Sequence, residues 1–367
     1  MAKRESGASP KPATNTFYSP LIDMTPHDPD CIMTAMTEAM RITQGCGQEY
    51  TVFTTDQQLY RITLNVLWSH PSTFPKFIPR LGGKHMLISF VGCVGKLMTN
   101  SGLDTVMKST FGGVPKMLSG KNFPQNTRAL RIIVEEVLKP FVKETTSHDD
   151  LMELLKNKSQ DSRTAKLWVD CLIKPVFLMM MFVMAEREAN WLLHLECVER
   201  MLPYFFAAGH INYARYGMFY LQNMARLPNE VLAQFLKGEH VMRHRAGLWN
   251  AIWSDMFIES TFMRFGKSQG GLVGITLKPS ALKRWALSLH ACSNMSKGLL
   301  DMRDDKRDQV VTHHREESKS RLKGDDEDRK NIRQRLESCI DPLNCVSINA
   351  DHIVNIVTSK VSPNQLM

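Results

Sequence analysis

The chain has 367 residues and a mass of 41.8 kDa, is 43% apolar and 23% charged, and carries 21 Gly and 17 Pro. That composition is globular and excludes collagen-like, mucin-like and wholly disordered chains. The formal net charge is +9, and because basic and acidic residues balance from Asp301 to Glu337, the excess lies before residue 301, where it suits a polyanion partner.

Eight cysteines without a CxxC pair do not form a disulfide framework, which points to a reducing compartment. The N-terminus, MAKRESGASPKPATNT, is polar and basic with no apolar segment behind it, so it does not read as a secretory signal. The most apolar run, Pro175 to Ala185, is far shorter than the ~20 residues of a membrane span and reads as a buried helix. The expected protein is intracellular, with no membrane partner.

In chain order, residues 1–16 read as a disordered arm and 17–24 as a short strand and turn. Asp28-Pro29 supplies an N-cap and a first-turn proline for a helix whose Ile32, Met33, Met36 and Met40 share one face until Gly45. Tyr50 to Thr55 is aromatic and β-branched, the composition of a strand, and ends in Asp56. A helix follows through Leu59, Ile62, Val66 and Leu67, then a strand in KFIPRLGG and a helix through Met86, Phe90, Val94 and Leu97.

From there helices dominate: Arg128 to Lys143, Ala165 to Glu186, Trp191 to Phe206, Ile211 to Ala225 and Glu230 to Lys237. Their large aromatics, Trp168, Phe182, Trp191 and Tyr204, belong in the core. Further helices are expected from Trp249 to Phe265, closed by Gly266, and from Ser280 to Cys292, with a solvated or disordered charged segment beyond. The fold class is α/β with predominant helix. Its parts are an arm (1–16), a partial α/β layer (17–100), a helical insertion (101–245), closing helices (246–300) and a charged tail (301–367), helical or disordered.

Few motifs carry chemistry. Gly92 and Gly95-Lys96 have the wrong spacing for a phosphate-binding loop, and no GxSxG occurs. His240 and His244 stand four apart without the Glu of HExxH, so the stretch from Arg243 through His244 to Arg245 reads instead as a basic, nucleic-acid-binding patch. Asp56 ends the best strand, where α/β folds place ligands, and Asp255 and Glu259 lie one helical turn apart. Carboxylates held by different elements can share divalent ions for phosphoryl chemistry, which makes Asp56, Glu259 and Asp255 candidate ligands of Mg2+ or Mn2+. A turn Asp and a surface Glu would look the same.

The stretches VFTTDQQLYRITLNVLW (52–68), IPRLGGKHMLISFVGCVGKLM (78–98), MLPYFFAAGHINYARY (201–216) and WSDMFIESTFMRFGKSQGGL (253–272) resemble a multicopy family of uncharacterised, transposable-element-derived animal proteins. Their order is similar to the RNase H-like core of hAT-type DDE transposases, interrupted by a large helical insertion. The resemblance implies that Asp56 matches the second catalytic Asp, His85 the His of the CxxH element and Glu259 the closing Glu. Gly82 stands where that element has its Cys, and the strands that should carry the first catalytic Asp are missing, with Asp23 the nearest substitute. The implied protein is a nuclear, catalytically incompetent transposase fragment with residual DNA binding. The alternative is a helical protein-interaction scaffold without nucleic-acid function.

Overall fold

Secondary structure in the computed structural model follows the capping and periodicity signals closely over the described residues, which are 11–16, 19, 22, 24–243, 249–261, 263, 278–304, 319–344 and 351–361. The chain forms two compact units, described separately. The first takes in Met1–His85, Ala185–Leu192 and Phe219–His314; the second takes in Met86–Met184, Leu193–Met218 and Arg315–Met367.

In the first unit, helix α1 (Pro29–Gly45) starts where the Asp28 carboxylate accepts the Asp30 amide 3.0 Å away and Pro29 pre-sets the first turn. Strand β1 (Thr51–Thr55), helix α2 (Gln57–Ser69) and strand β2 (Phe77–Leu81) form a βαβ unit. Its strands run parallel in the register Thr51↔Phe77 to Thr55↔Leu81. Ile32 and Met36 of α1 pack with Ile62 and Val66 of α2 and with Phe74 and Phe77, so the apolar stripes legible in the sequence meet over one face of the strand pair. The expected strand at 17–24 falls largely on positions outside the described residues.

Two expectations change. Residues 11–16 are not a free arm: the Thr14 amide donates to the Arg243 carbonyl at 2.7 Å, and the Arg243 amide donates to Thr14 Oγ1 at 3.0 Å. The helix expected from Trp249 is shorter. Trp249 has a left-handed backbone (φ 58°), which stops a helix there, and Ala251–Ile252 instead pairs as strand β4, antiparallel to β3 (Met242–Arg243). Helix α13 then covers only Ser254–Ser260, and the expected closure at Gly266 lies outside the described residues.

The second unit is predominantly helical. Its helices α4 (Leu103–Lys108), α5 (Val114–Leu118), α6 (Phe123–Val142), α7 (His148–Asp161) and α8 (Arg163–Trp168) precede a π-turn at Val169–Ile173. Phe90 packs edge-on against Tyr204 and Phe205, with ring centroids 5.5 and 6.0 Å apart. Trp168, Phe182 and, in the first unit, Trp191 are fully buried as expected, while Tyr204 is half-buried.

Arg163–Arg187 is the one helical stretch among the described residues long and apolar enough to cross a membrane, and 61% of its most apolar window is buried within the protein. In the second unit, Val169, Leu172, Val176 and Phe182 from this stretch are core residues, which accounts for its composition.

The charged C-terminal segment is ordered and packed over its described residues. Its helix (Lys319–Glu337) lies on α6, with the buried Asp325 accepting Arg128 Nε and Arg131 Nη2, each at 2.6 Å. Arg329 and Arg333 reach Glu135 and Glu136, and Ile332 is wholly buried. Ile353, Val354 and Ile356 are buried further on, with the Ile356 amide donating to the Ser101 carbonyl at 3.1 Å.

Candidate functional site

The sequence-predicted carboxylates lie around the carboxyl ends of the two parallel strands, in the first unit. Asp56 directly follows β1, and its carboxylate accepts the Leu59 amide at 2.9 Å, which makes it the N-cap of α2. Beyond β2, the Gly82 amide donates to the Thr55 carbonyl at 2.7 Å and extends the ladder by one rung before helix α3 (Gly83–Leu97) begins.

The glycine pair in GGKH has a steric cause. A Cβ on Gly82 would stand 2.5 Å from Asp255 Oδ2, and one on Gly83 would stand 2.1 Å from the Trp253 ring. The strand β4 turn therefore delivers Trp253 and Asp255 directly onto the start of α3, and only glycine leaves room for them.

Asp255 is buried, and its carboxylate caps α3 from another part of the chain. Oδ1 accepts the Lys84 amide at 3.2 Å; Oδ2 accepts the His85 amide at 3.1 Å and lies 2.9 Å from His85 Nδ1. These are the first free amides of a helix, aligned with its dipole, so a carboxylate is the natural partner.

The electrostatics agree with the geometry. The hydrogen bond to Asp255 raises the His85 imidazole above its ordinary value, against the effect of its own burial. Burial works to raise the Asp255 carboxyl, but bonds from the His85 ring and amide, with the Lys84 amide, together hold it below the usual carboxylate value. Asp56 contributes a smaller charge effect at His85, which places it in the same neighbourhood. One turn beyond Asp255, Glu259 Oε2 lies 3.9 Å from Lys84 Nζ, both side chains being partly shielded.

These residues do not fit a divalent ion. Asp255 already has amide and imidazole partners on its two oxygens, Glu259 faces an ammonium, and Asp56 caps a helix. Among the described residues no three His, Cys, Asp or Glu side chains gather into a set that could hold a metal. The sequence pattern brought the right groups to one edge; the Lys84 amide, the His85 imidazole and the Lys84 ammonium then take up their charge.

The basic patch is corrected at Arg243. Arg243 is only 6% exposed, and its Nη2 donates to the Gly238 carbonyl at 2.8 Å, so it is spent inside the fold. His244 and Arg245 lie outside the described residues. His240 is buried against the Trp191 ring, with its Nδ1 3.2 Å from the Phe235 carbonyl. A different basic region escaped notice: residues 260–300 contain Arg264, Lys267, Lys278, Lys283, Arg284 and Lys297 and no Asp or Glu. On helix α14 (Pro279–Asp304), Lys283 and Arg284 are exposed, and Lys278 just before it is exposed as well. Counting acidic gaps rather than adjacent cations would have found it.

A family model described as a domain of unknown function (DUF8702) matches residues 3–160 and 142–366. No curated protein and no solved structure matches the chain.

Proposed function

We propose that this chain, which belongs to the DUF8702 family, is a transposase-derived protein that binds DNA and does not cut it. The observation that carries the reading is the engagement of Asp255 and Glu259 by α3 and its first residues, at the edge where a strand-transfer site would hold metal. Two-ion phosphoryl transfer needs carboxylates free to bridge ions ~4 Å apart. A carboxylate that already satisfies two helix amides and an imidazole gives up those bonds if it turns toward an ion.

Affinity for DNA comes from cations, not from this edge. The run from residue 260 to 300 holds no Asp or Glu, and its Lys278, Lys283 and Arg284 are exposed, which supports a phosphate-contacting surface. The function is therefore sequestration or positioning of DNA in the nucleus, with the former chemical edge acting as a structural clamp.

Fluorescence anisotropy on a labelled DNA duplex, measured from low to moderate salt, tests the proposal. Affinity is expected to fall steeply with salt, by orders of magnitude, and no nicking is expected with Mg2+ or Mn2+. Metal-dependent nicking abolished by Glu259→Gln would overturn the inert reading. Absence of salt-sensitive binding would overturn the DNA reading and leave the interaction-scaffold alternative.

A further inference from the structure

We infer that α14, in the first unit, is a dimerisation helix, whose exposed face packs antiparallel against the same face of a second copy of this chain. The inference does not depend on DNA binding. The two sides of the helix differ. Trp285 is buried, and Leu282 and Ala286 beside it are half-buried, so that side faces the protein.

Leu287, Ala291 and Met295 follow one another at four-residue steps on the other side and are all exposed, Leu287 by 71% and Met295 by 67%. One exposed leucine needs no explanation. A leucine and a methionine two turns apart on one face, with an alanine between them, form a strip that a second helix can cover.

The order of charges names the occupant. Lys283 and Arg284 stand near the start of the helix, and neither has a carboxylate three or four residues away in either direction. The first acids, Asp301 and Asp304, come at its C-terminal end. Cations at the start and carboxylates at the end both oppose the helix dipole, so neither end is well served by its own helix. Each end is matched by the opposite end of a second copy laid antiparallel, whose dipole also runs the other way.

The apolar strip and the charges agree on one register. About a two-fold axis at Ala291, Leu287 of each copy meets Met295 of the other, and Ala291 meets itself, which lets the backbones approach. Lys283 and Asp301 are about five turns apart and so share one flank of the strip. Antiparallel packing about that axis brings like flanks together, which places Lys283 of each copy near Asp301 of the other. Arg303, the same span beyond Trp285, falls on the opposite side of the helix. A parallel pair would set Lys283 on Lys283 and Asp301 on Asp301, and a wholly acidic partner would satisfy the cations while repelling both aspartates.

Sedimentation velocity of the full chain, free of nucleic acid and over a wide range of micromolar concentrations, tests the inference. A reversible dimer is expected. Leu287→Glu should raise its dissociation constant roughly tenfold or more with unchanged far-UV circular dichroism. Lys283→Asp and Asp301→Lys should each weaken the dimer, and the two together should restore it, a rescue that loss of folding cannot produce. A monomer at every concentration, a dimer indifferent to Leu287→Glu, or a double variant no tighter than the single ones would overturn the inference.

Discussion

Asp255 shows how much one side chain does at the residue scale. Removing it leaves the Lys84 and His85 amides and the imidazole without their acceptor in a buried place. Each orphaned group costs about 1–3 kcal/mol, so Asp255→Ala is expected to lower stability by roughly 3 kcal/mol in urea unfolding, with Glu259→Gln costing under ~1 kcal/mol because its partner is 3.9 Å away. A pH profile follows from the same pair. His85 has a raised value, so its contribution is complete below the ordinary histidine range and is lost as pH rises through the folded value. Asp255 has a lowered value, so its contribution is complete above the ordinary carboxylate value and is lost as pH falls through the folded one. The thermal midpoint should therefore peak in the mildly acidic range, between those two ordinary values. His85→Gln should flatten the limb on the alkaline side, and an unchanged limb in that variant would refute the assignment.

At the scale of elements, the C-terminal helix of the second unit is held by charge rather than by an apolar stripe. Arg128 and Arg131 both reach the buried Asp325, whereas Arg329 reaches Glu135 and Asp326, both exposed. These two kinds of contact differ in magnitude. Asp325→Ala removes the buried acceptor that Arg128 and Arg131 share, leaving them only Asp328 and Glu135, and is expected to cost about 3 kcal/mol, while Arg329→Ala should cost under ~1 kcal/mol. Chemical unfolding of the two variants distinguishes them, and equal losses would contradict the description. Burial tends to raise the Asp325 carboxyl, yet Arg128 and Arg131 hold it below the usual value, so its share of stability is lost as pH falls.

At the scale of the whole molecule, the charge excess before residue 301 is concentrated by the acid-free run rather than spread evenly. Each cation that neutralises a phosphate contributes about 0.9 to the slope of log affinity against log salt. If the chain binds DNA as proposed, replacing Lys283 and Arg284 with Ala should reduce that slope by roughly 2 and weaken binding to all sequences alike. Arg243→Ala should leave the slope unchanged and lower stability instead, since its guanidinium bonds the Gly238 carbonyl. Calorimetric unfolding beside anisotropy separates the two outcomes.

The sequence by itself determined what depends on local physics. The cap at Asp28-Pro29, the β-branched run ending at Asp56 and the apolar periodicity of the long helices each set an element without help from distant residues. It also brought Asp56, Asp255 and Glu259 into view as candidate ligands, while His85 entered only through the family resemblance. Tertiary structure decided what those groups do, because a hydrogen-bond partner is a property of place and not of spacing. Asp255 and the start of α3 are about 170 residues apart in the chain, and only folding shows that the carboxylate caps that helix. The same holds for Arg243, whose neighbours in sequence spell a basic patch while its guanidinium is buried. It holds for the charged C-terminal helix too, whose composition reads as solvated until the opposite charges of α6 are set against it.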